Sequence, residues 1–321
     1  MLRSPFFYFI ILLLLFSCKE KKTIYIDTEP IRKKALTLRN KANENYAKQN
    51  FTTSFYEYNK SKALYETLKD SANIGYILIQ IASIQQVNGD YYGSKETVTE
   101  ALNYVKKKSV YTAAINNILG IADKELSLYN DAIFYYKKAT NDYTDPVEKQ
   151  EPLSNIASVY IQQKKYNNAI ALLEYLLSKK ILKEASSEAR FLDNLGYAYF
   201  KKGMDEKGFS LMNEALQKRN ELNESYGSIQ SYLHLADYYA KKDIKKSNEN
   251  ALMAYNISTK LNSIDERLEA LQILISNNHS SQTSKQVQKY FTLNDSIIKV
   301  RNKFKNKFAK IKYDSKKEKD E

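Results

Sequence analysis

Two histidines, one cysteine and 27 tyrosines are the residues of this 321-residue chain best suited to chemistry. His234 falls in a stretch of helical periodicity, and His279 lies in the polar run SNNHSSQTS. Neither has a Cys, a second His or a carboxylate at metal-ligand spacing. Cys18 is the lone thiol, so no intramolecular disulfide forms. The sequence contains no Gly-rich phosphate loop and no Gly-x-Ser-x-Gly nucleophile turn. The expectation is a protein that is not an enzyme, without catalytic groups, cofactor or metal, so its function has to come from surfaces.

Those surfaces must be carried by helices. A hydrophobic share of 43% is enough for a folded core, while 8 Gly and 4 Pro are too few for the turns of an all-β fold. Long helices joined by short loops fit both numbers. Formal net charge is +13, but the lysines are spread along the chain among abundant Asn, Ile and Tyr. That distribution reads as a solvated basic surface rather than a nucleic-acid grip.

The position of Cys18 matters more than its number. Residues 1–18 read MLRSPFFYFIILLLLFSC, with Arg3, an apolar run Phe6–Phe16 and then Leu15-Phe16-Ser17-Cys18. Eleven apolar residues are too few to span a bilayer as a helix and suit a signal-peptide core. The last four resemble the lipobox of bacterial lipoproteins, with Phe16 departing from the usual small residue. This resemblance implies cleavage before Cys18 and acylation of its sulfur and new amino terminus. Two or more acyl chains anchor stably, since each buried methylene contributes about 0.8 kcal/mol. Residues 1–17 are thus expected to be a signal peptide, and 18–32 a lipidated cysteine with a polar tether. Lys19 replaces the Asp that often retains lipoproteins in the inner membrane, which points to the outer membrane. The expected location is a membrane-anchored lipoprotein facing the periplasm or cell exterior.

Beyond the tether the sequence repeats. NIASVYIQQKKYNNAIALLEYLL (155–177), NLGYAYFKKGMDEKGFSLMNEAL (194–216) and QIASIQQVNGDYYGSKETVTEAL (80–102) align without gaps, and 118–140 follows the same pattern. A small residue recurs at 54, 94, 132, 169, 208 and 247, in steps of 40, 38, 37, 39 and 39. These segments resemble tetratricopeptide (TPR) repeats: Leu195-Gly196-x-x-Tyr199 matches the first-helix motif, and Ala132, Tyr136 and Ala139 match the second. The family period is 34, so each unit here is longer. The resemblance implies an all-α, right-handed TPR-like α-solenoid of about seven helix-turn-helix repeats over 33–313, with most tyrosines filling helix interfaces. Gly89 and Gly203 fall at the turns within pairs, where left-handed backbone costs glycine little.

In such a solenoid the first helix of each repeat lines a concave groove. Carried over by motif position, the resemblance proposes Arg39, Asn43 and Tyr46 in the first repeat, and Ser83 and Gln86 in the second. It adds Asn117 and Lys124, then Ser158 and Gln162, then Asp193, Tyr197 and Lys201, and finally Asp237 and Lys241. Arg39 and Asn43 match half of the carboxylate clamp of some relatives, but Gln80, Ala114 and Ile118 occupy the columns where its other members stand.

The chain closes with NDSIIKVRNKFKNKFAKIKYDSKKEKDE. Ile297, Val300, Phe304, Phe308 and Ile311 form one apolar stripe amid seven Lys and Arg, as expected of a long capping helix. Residues 314–321 are charged and expected to fray. Asp295-Ser296-Ile297 and Lys307–Tyr313 also resemble the end of the TPR sensor half of bacterial membrane signalling proteins, without the transmembrane helix and effector that follow there.

Three functional expectations result. The first is a lipid-anchored scaffold binding a protein or peptide in the bacterial cell envelope, with no nucleic acid and no metal. The alternatives are an extracytoplasmic sensor or accessory subunit of a signalling system, and an accessory lipoprotein for nutrient or glycan uptake. Replacing Cys18→Ala is expected to move the protein from the membrane pellet to the soluble fraction. Retention in the pellet would contradict lipid anchoring.

Overall fold

The structure is a computed structural model that describes residues 27–179, 185–261, 263–277, 285–296, 298–299 and 310–311. Cys18 and the expected signal peptide, His279, four residues of the expected capping stripe (Ile297, Val300, Phe304 and Phe308) and residues 314–321 lie outside the described residues. Thirteen helices succeed one another. They are α1 (Glu29–Ala47), α2 (Phe51–Thr67), α3 (Ser71–Val87), α4 (Tyr91–Ala101), α5 (Val110–Glu125), α6 (Tyr129–Asp142) and α7 (Gln150–Gln162). There follow α8 (Tyr166–Ser178), α9 (Ala185–Lys201), α10 (Asp205–Glu221), α11 (Ser225–Tyr239), α12 (Ile244–Lys260) and α13 (Ile264–Asn277). Odd-numbered helices are the first of each pair and even-numbered the second, and a further helical stretch at 285–296 partners α13. The architecture is the expected all-α solenoid, with no strand among the described residues.

Local signals start and stop these helices. Asp70, Asp90 and Asp243 cap α3, α4 and α12 by accepting from backbone N–H three residues on, and Ser109 with Thr112 forms a capping box on α5. Gly89 and Gly203 are at φ 73 and 90 as expected, but Gln49, Ser127 and Lys164 adopt the same left-handed conformation in the equivalent turns. The turn is therefore dictated by the helix pair, and glycine only makes it cheaper.

Pairs close because the second helix has little side chain where it meets the first. Ser54, Ser94, Ala132, Ala169 and Ser247 are each 0% exposed. Gly208 completes the series: a Cβ on it would sit 2.7 Å from the Gly196 carbonyl oxygen and from the Phe200 backbone nitrogen. Where the small residue is serine, its hydroxyl finds a carbonyl on the first helix. Ser54 donates to Ala42 (2.8 Å), Ser61 to Ala35 (2.8 Å) and Ser247 to Ala236 (2.7 Å). Ser94 is the exception, its hydroxyl buried without a partner among the described residues.

Apolar residues fill the remaining space in successive clusters strung along the chain. The first gathers residues from Ala35 to Leu119, the next couples Tyr136 to Ile156 and Val159, and the last joins Ala236 and Ala251 to Leu271 and Leu274. Fully burying a side chain such as Leu173 or Phe191 contributes about 2–3 kcal/mol. Tyr58, Tyr65 and Tyr136 are interior as expected, whereas Tyr92, Tyr175 and Tyr226 remain at least half exposed. At the C-terminal end Tyr290 and Leu293 pack on the last cluster, the place of a cap, while Ile311 packs on the first cluster. The segment thus reaches further than a cap over the final repeat requires.

Two substitutions test this packing by urea unfolding of the full chain. Gly208→Ala is expected to cost about 2–3 kcal/mol, because the added methyl meets backbone that cannot rotate away. Ser54→Ala is expected to cost about 1 kcal/mol, whereas Ser94→Ala leaves stability unchanged or raises it, since only Ser54 loses a hydrogen bond.

Candidate functional site: the concave groove

The first helices of repeats three to seven, α5, α7, α9, α11 and α13, stand side by side and enclose a cavity of about 980 Å³. Five of the residues chosen from the sequence line it: Lys124, Ser158, Gln162, Tyr197 and Lys201. Asp237 stands at its edge, accepting from the Tyr197 hydroxyl (2.8 Å) and from Lys201 Nζ (2.9 Å). The wall there is a cross-braced sheet of side chains linking α9 to α11.

The other chosen residues are used differently. Arg39 bonds the Asn73 side chain and lies 5.7 Å from the Tyr76 ring centroid. The Asn43 carbonyl accepts from the hydroxyls of Tyr58 (2.5 Å) and Tyr76 (3.0 Å), and Tyr46 packs edge-on against Phe51. Ser83 bonds back to the Ile79 carbonyl, and Gln86 donates to the Ile118 carbonyl at 2.7 Å. Arg39, Asn43 and Gln86 thus tie the first three repeats together, Ser83 and Tyr46 make contacts within their own repeats, and all five lie outside the cavity. Asn117 is buried, bonding Glu151 and Asn155 at 3.1 Å each, so it ties α5 to α7. Lys241 is exposed in the turn after α11, also outside the cavity.

Asp193 is 0% exposed, so it anchors the groove floor from beneath instead of facing a ligand. Arg219 Nη1 donates to it at 3.0 Å and also to the Gly227 carbonyl (2.6 Å) and the Ser231 hydroxyl (2.7 Å). His234 Nδ1 lies 3.2 Å from the same Asp193 oxygen, and its ring stacks on Tyr197 at 3.9 Å between centroids. Gln230 Nε2 sits 2.9 Å from His234 Nε2. The His234 Nδ1 makes no hydrogen bond despite its approach to Asp193, so Gln230 is the ring's hydrogen-bond partner. Stacked on Tyr197 and bonded to Gln230, the ring ties α11 to α9 at the groove floor. Burial alone would raise the Asp193 pKa, but His234 and Arg219 together hold it below the ordinary value.

Sequence reasoning missed several lining residues. Arg190 and Asn194 share α9 with Tyr197, while Tyr226 and Gln230 come from α11 and Glu266 and Glu269 from α13. Arg190 was findable, because it occupies the second motif position of the fifth repeat. Glu266 and Glu269 belong to the seventh repeat, where the small-residue spacing fades and the register cannot be read. In a chain of net charge +13 the cavity lining carries five basic residues (Lys124, Lys164, Arg190, Lys201, Arg219) against six Glu (Glu125, Glu148, Glu151, Glu224, Glu266, Glu269). The groove is therefore electrostatically unlike the rest of the surface.

No protein-family model matches the chain, and no curated protein matches it by sequence. Solved structures do resemble it. The apo form of RapI superposes with a TM-score of 0.65 at 12% identity, over 85% of this chain and 99% of that one. The Rap conjugation gene regulator of plasmid pLS20, solved with the Phr* peptide, gives 0.64 at 12% identity, over 94% and 87%. The Cut9–Hcn1 hetero-tetramer component gives 0.57 at 16% identity, over 76% and 46%. At such identities the likeness shows the fold, and the fold is a TPR-like α-solenoid.

Replacing Asp193→Asn is expected to cost about 3–5 kcal/mol near neutral pH, because Arg219 would remain buried without its counter-charge. Its depressed pKa means that the Asp193 contribution is present above the unfolded value and lost as pH falls through the folded one. The stability gap between wild type and variant, measured by denaturant titration, is expected to narrow below about pH 4.

Proposed function

We propose that this protein is a non-enzymatic scaffold whose concave groove binds an extended peptide segment of a partner protein. One observation carries the reading: five consecutive first helices present a polar, partly aromatic cavity of about 980 Å³ on a rigid frame. A groove of this length suits an extended chain, whose backbone needs polar partners such as Ser158, Gln162 and Tyr197 along its course. The likeness of fold to a regulator solved with its peptide is in keeping with this use. The lipobox resemblance at Cys18 supports a lipid-anchored protein of the bacterial envelope, and the near-neutral groove disfavours nucleic acid as its occupant.

A second reading is an extracytoplasmic sensor or accessory subunit that passes peptide occupancy to a signalling partner. The C-terminal likeness to TPR sensor halves favours it. In both readings the groove is the binding surface. The test is a photo-crosslinking residue introduced at Ser158 or Gln162 of the intact protein in its own cells, with Tyr175 on α8 as the control outside the groove. A defined adduct is expected from the groove positions alone. Adducts formed equally from Tyr175, or from none of the three, would overturn groove binding.

A further inference from the structure

Most charges around the groove already have partners. Lys124 pairs with Glu125, Lys201 with Asp237 and Arg219 with Asp193. Glu266 accepts from the Tyr226 and Ser263 hydroxyls, and Glu151 accepts from Asn117. Lys164, Arg190, Glu224 and Glu269 have no ion pair among the described residues, and of these Arg190 on α9 and Glu269 on α13 offer opposite charges to the groove. Arg190 lies over the Phe191 ring, 5.6 Å from its centroid, and no carboxylate reaches ion-pair distance among the described residues. Burial, with Arg219 adding to it, holds the guanidinium below its usual pKa despite the attraction of Glu151 and Glu224. Glu269 opens onto the same groove from α13, and no Lys or Arg pairs with it among the described residues. Its side chain is exposed, yet the protein around it and the like charges of Glu266 and Asp237 hold the carboxyl above its ordinary value against the pull of His234.

A charge that faces the groove without a fixed counter-ion is open to a ligand, and a ligand that supplies the opposite charge there meets no competing protein group. We propose that the groove selects a peptide segment of mixed charge, whose carboxylate pairs with Arg190 and whose Lys or Arg side chain pairs with Glu269. The flanking charges support that division of labour. Glu266 adds negative charge beside Glu269, while Arg190 is the cation offered from α9, since Arg219 is already paired with Asp193. A purely basic or purely acidic segment would satisfy one position and leave the other unpaired. Specificity then comes from the pairing as much as from area. This inference rests on the reading that the groove takes a peptide, and it adds the charge pattern that the peptide must carry.

The test pans a phage-displayed random peptide library against the full-length protein. Selected peptides are expected to carry both an acidic and a basic residue. Arg190→Gln should abolish enrichment of the acidic residue and weaken the best peptides about tenfold. Glu269→Gln should do the same for the basic residue. Glu269→Lys should reverse the preference to an acidic residue, which a merely structural role would not produce. Thermal unfolding of each variant separates lost binding from lost fold. Selected peptides without charge preference, or with preferences unchanged in all three variants, would overturn this inference and leave peptide binding standing. Failure to select any peptide would overturn peptide binding itself.

Discussion

The second helix of each pair meets the first through a residue that is almost all backbone. At Gly208 and Gly196 the fit admits no Cβ, and at Ser54 and Ser247 the side chain is just long enough to bond a carbonyl across the gap. This close approach fixes the angle and spacing within a pair, and the next pair inherits both. A larger residue at one anchor would splay its own helices and shift every repeat beyond it. The groove exists because that error does not accumulate: five first helices stay in step from α5 to α13.

The anchors were also what made the fold legible. A small residue every 37 to 40 positions is a pattern in residue type, and packing demands it whatever the surface does. The groove was less legible because a motif position fixes where a side chain starts, not what it meets. Arg39, Asn43 and Gln86 hold the expected positions, yet neighbours from the adjacent helices claim their polar atoms. Asp193 likewise has the register of a wall residue, but Arg219 from α10 and His234 from α11 draw it into the interior. Such pairings join residues 15 to 41 positions apart and leave no local trace. The left-handed Ser127 and Lys164 show the same limit in turns, where the pair imposes a conformation that the residue type does not announce.

Charge is partitioned over the molecule in a way the net value conceals. Most of the 50 Lys and Arg lie outside the cavity lining, which holds five of them. On the concave side, acidic and basic groups nearly balance, and several are stiffened by aromatic neighbours, as Tyr197 is by His234. Nonspecific attraction of anions is therefore a property of the outer faces, and the groove is left free to discriminate.

A linear stack of repeats has two ends, and each end repeat has only one neighbour to hold it. Ile311 changes that count. By packing on the cluster that begins at Ala35, it lets the last part of the chain brace the first repeats. Melting from the N-terminal end then has to break a contact made by residues almost 280 positions away. The first cluster is therefore bounded by more than its sequence neighbours, and loosening it also uncovers Ile311.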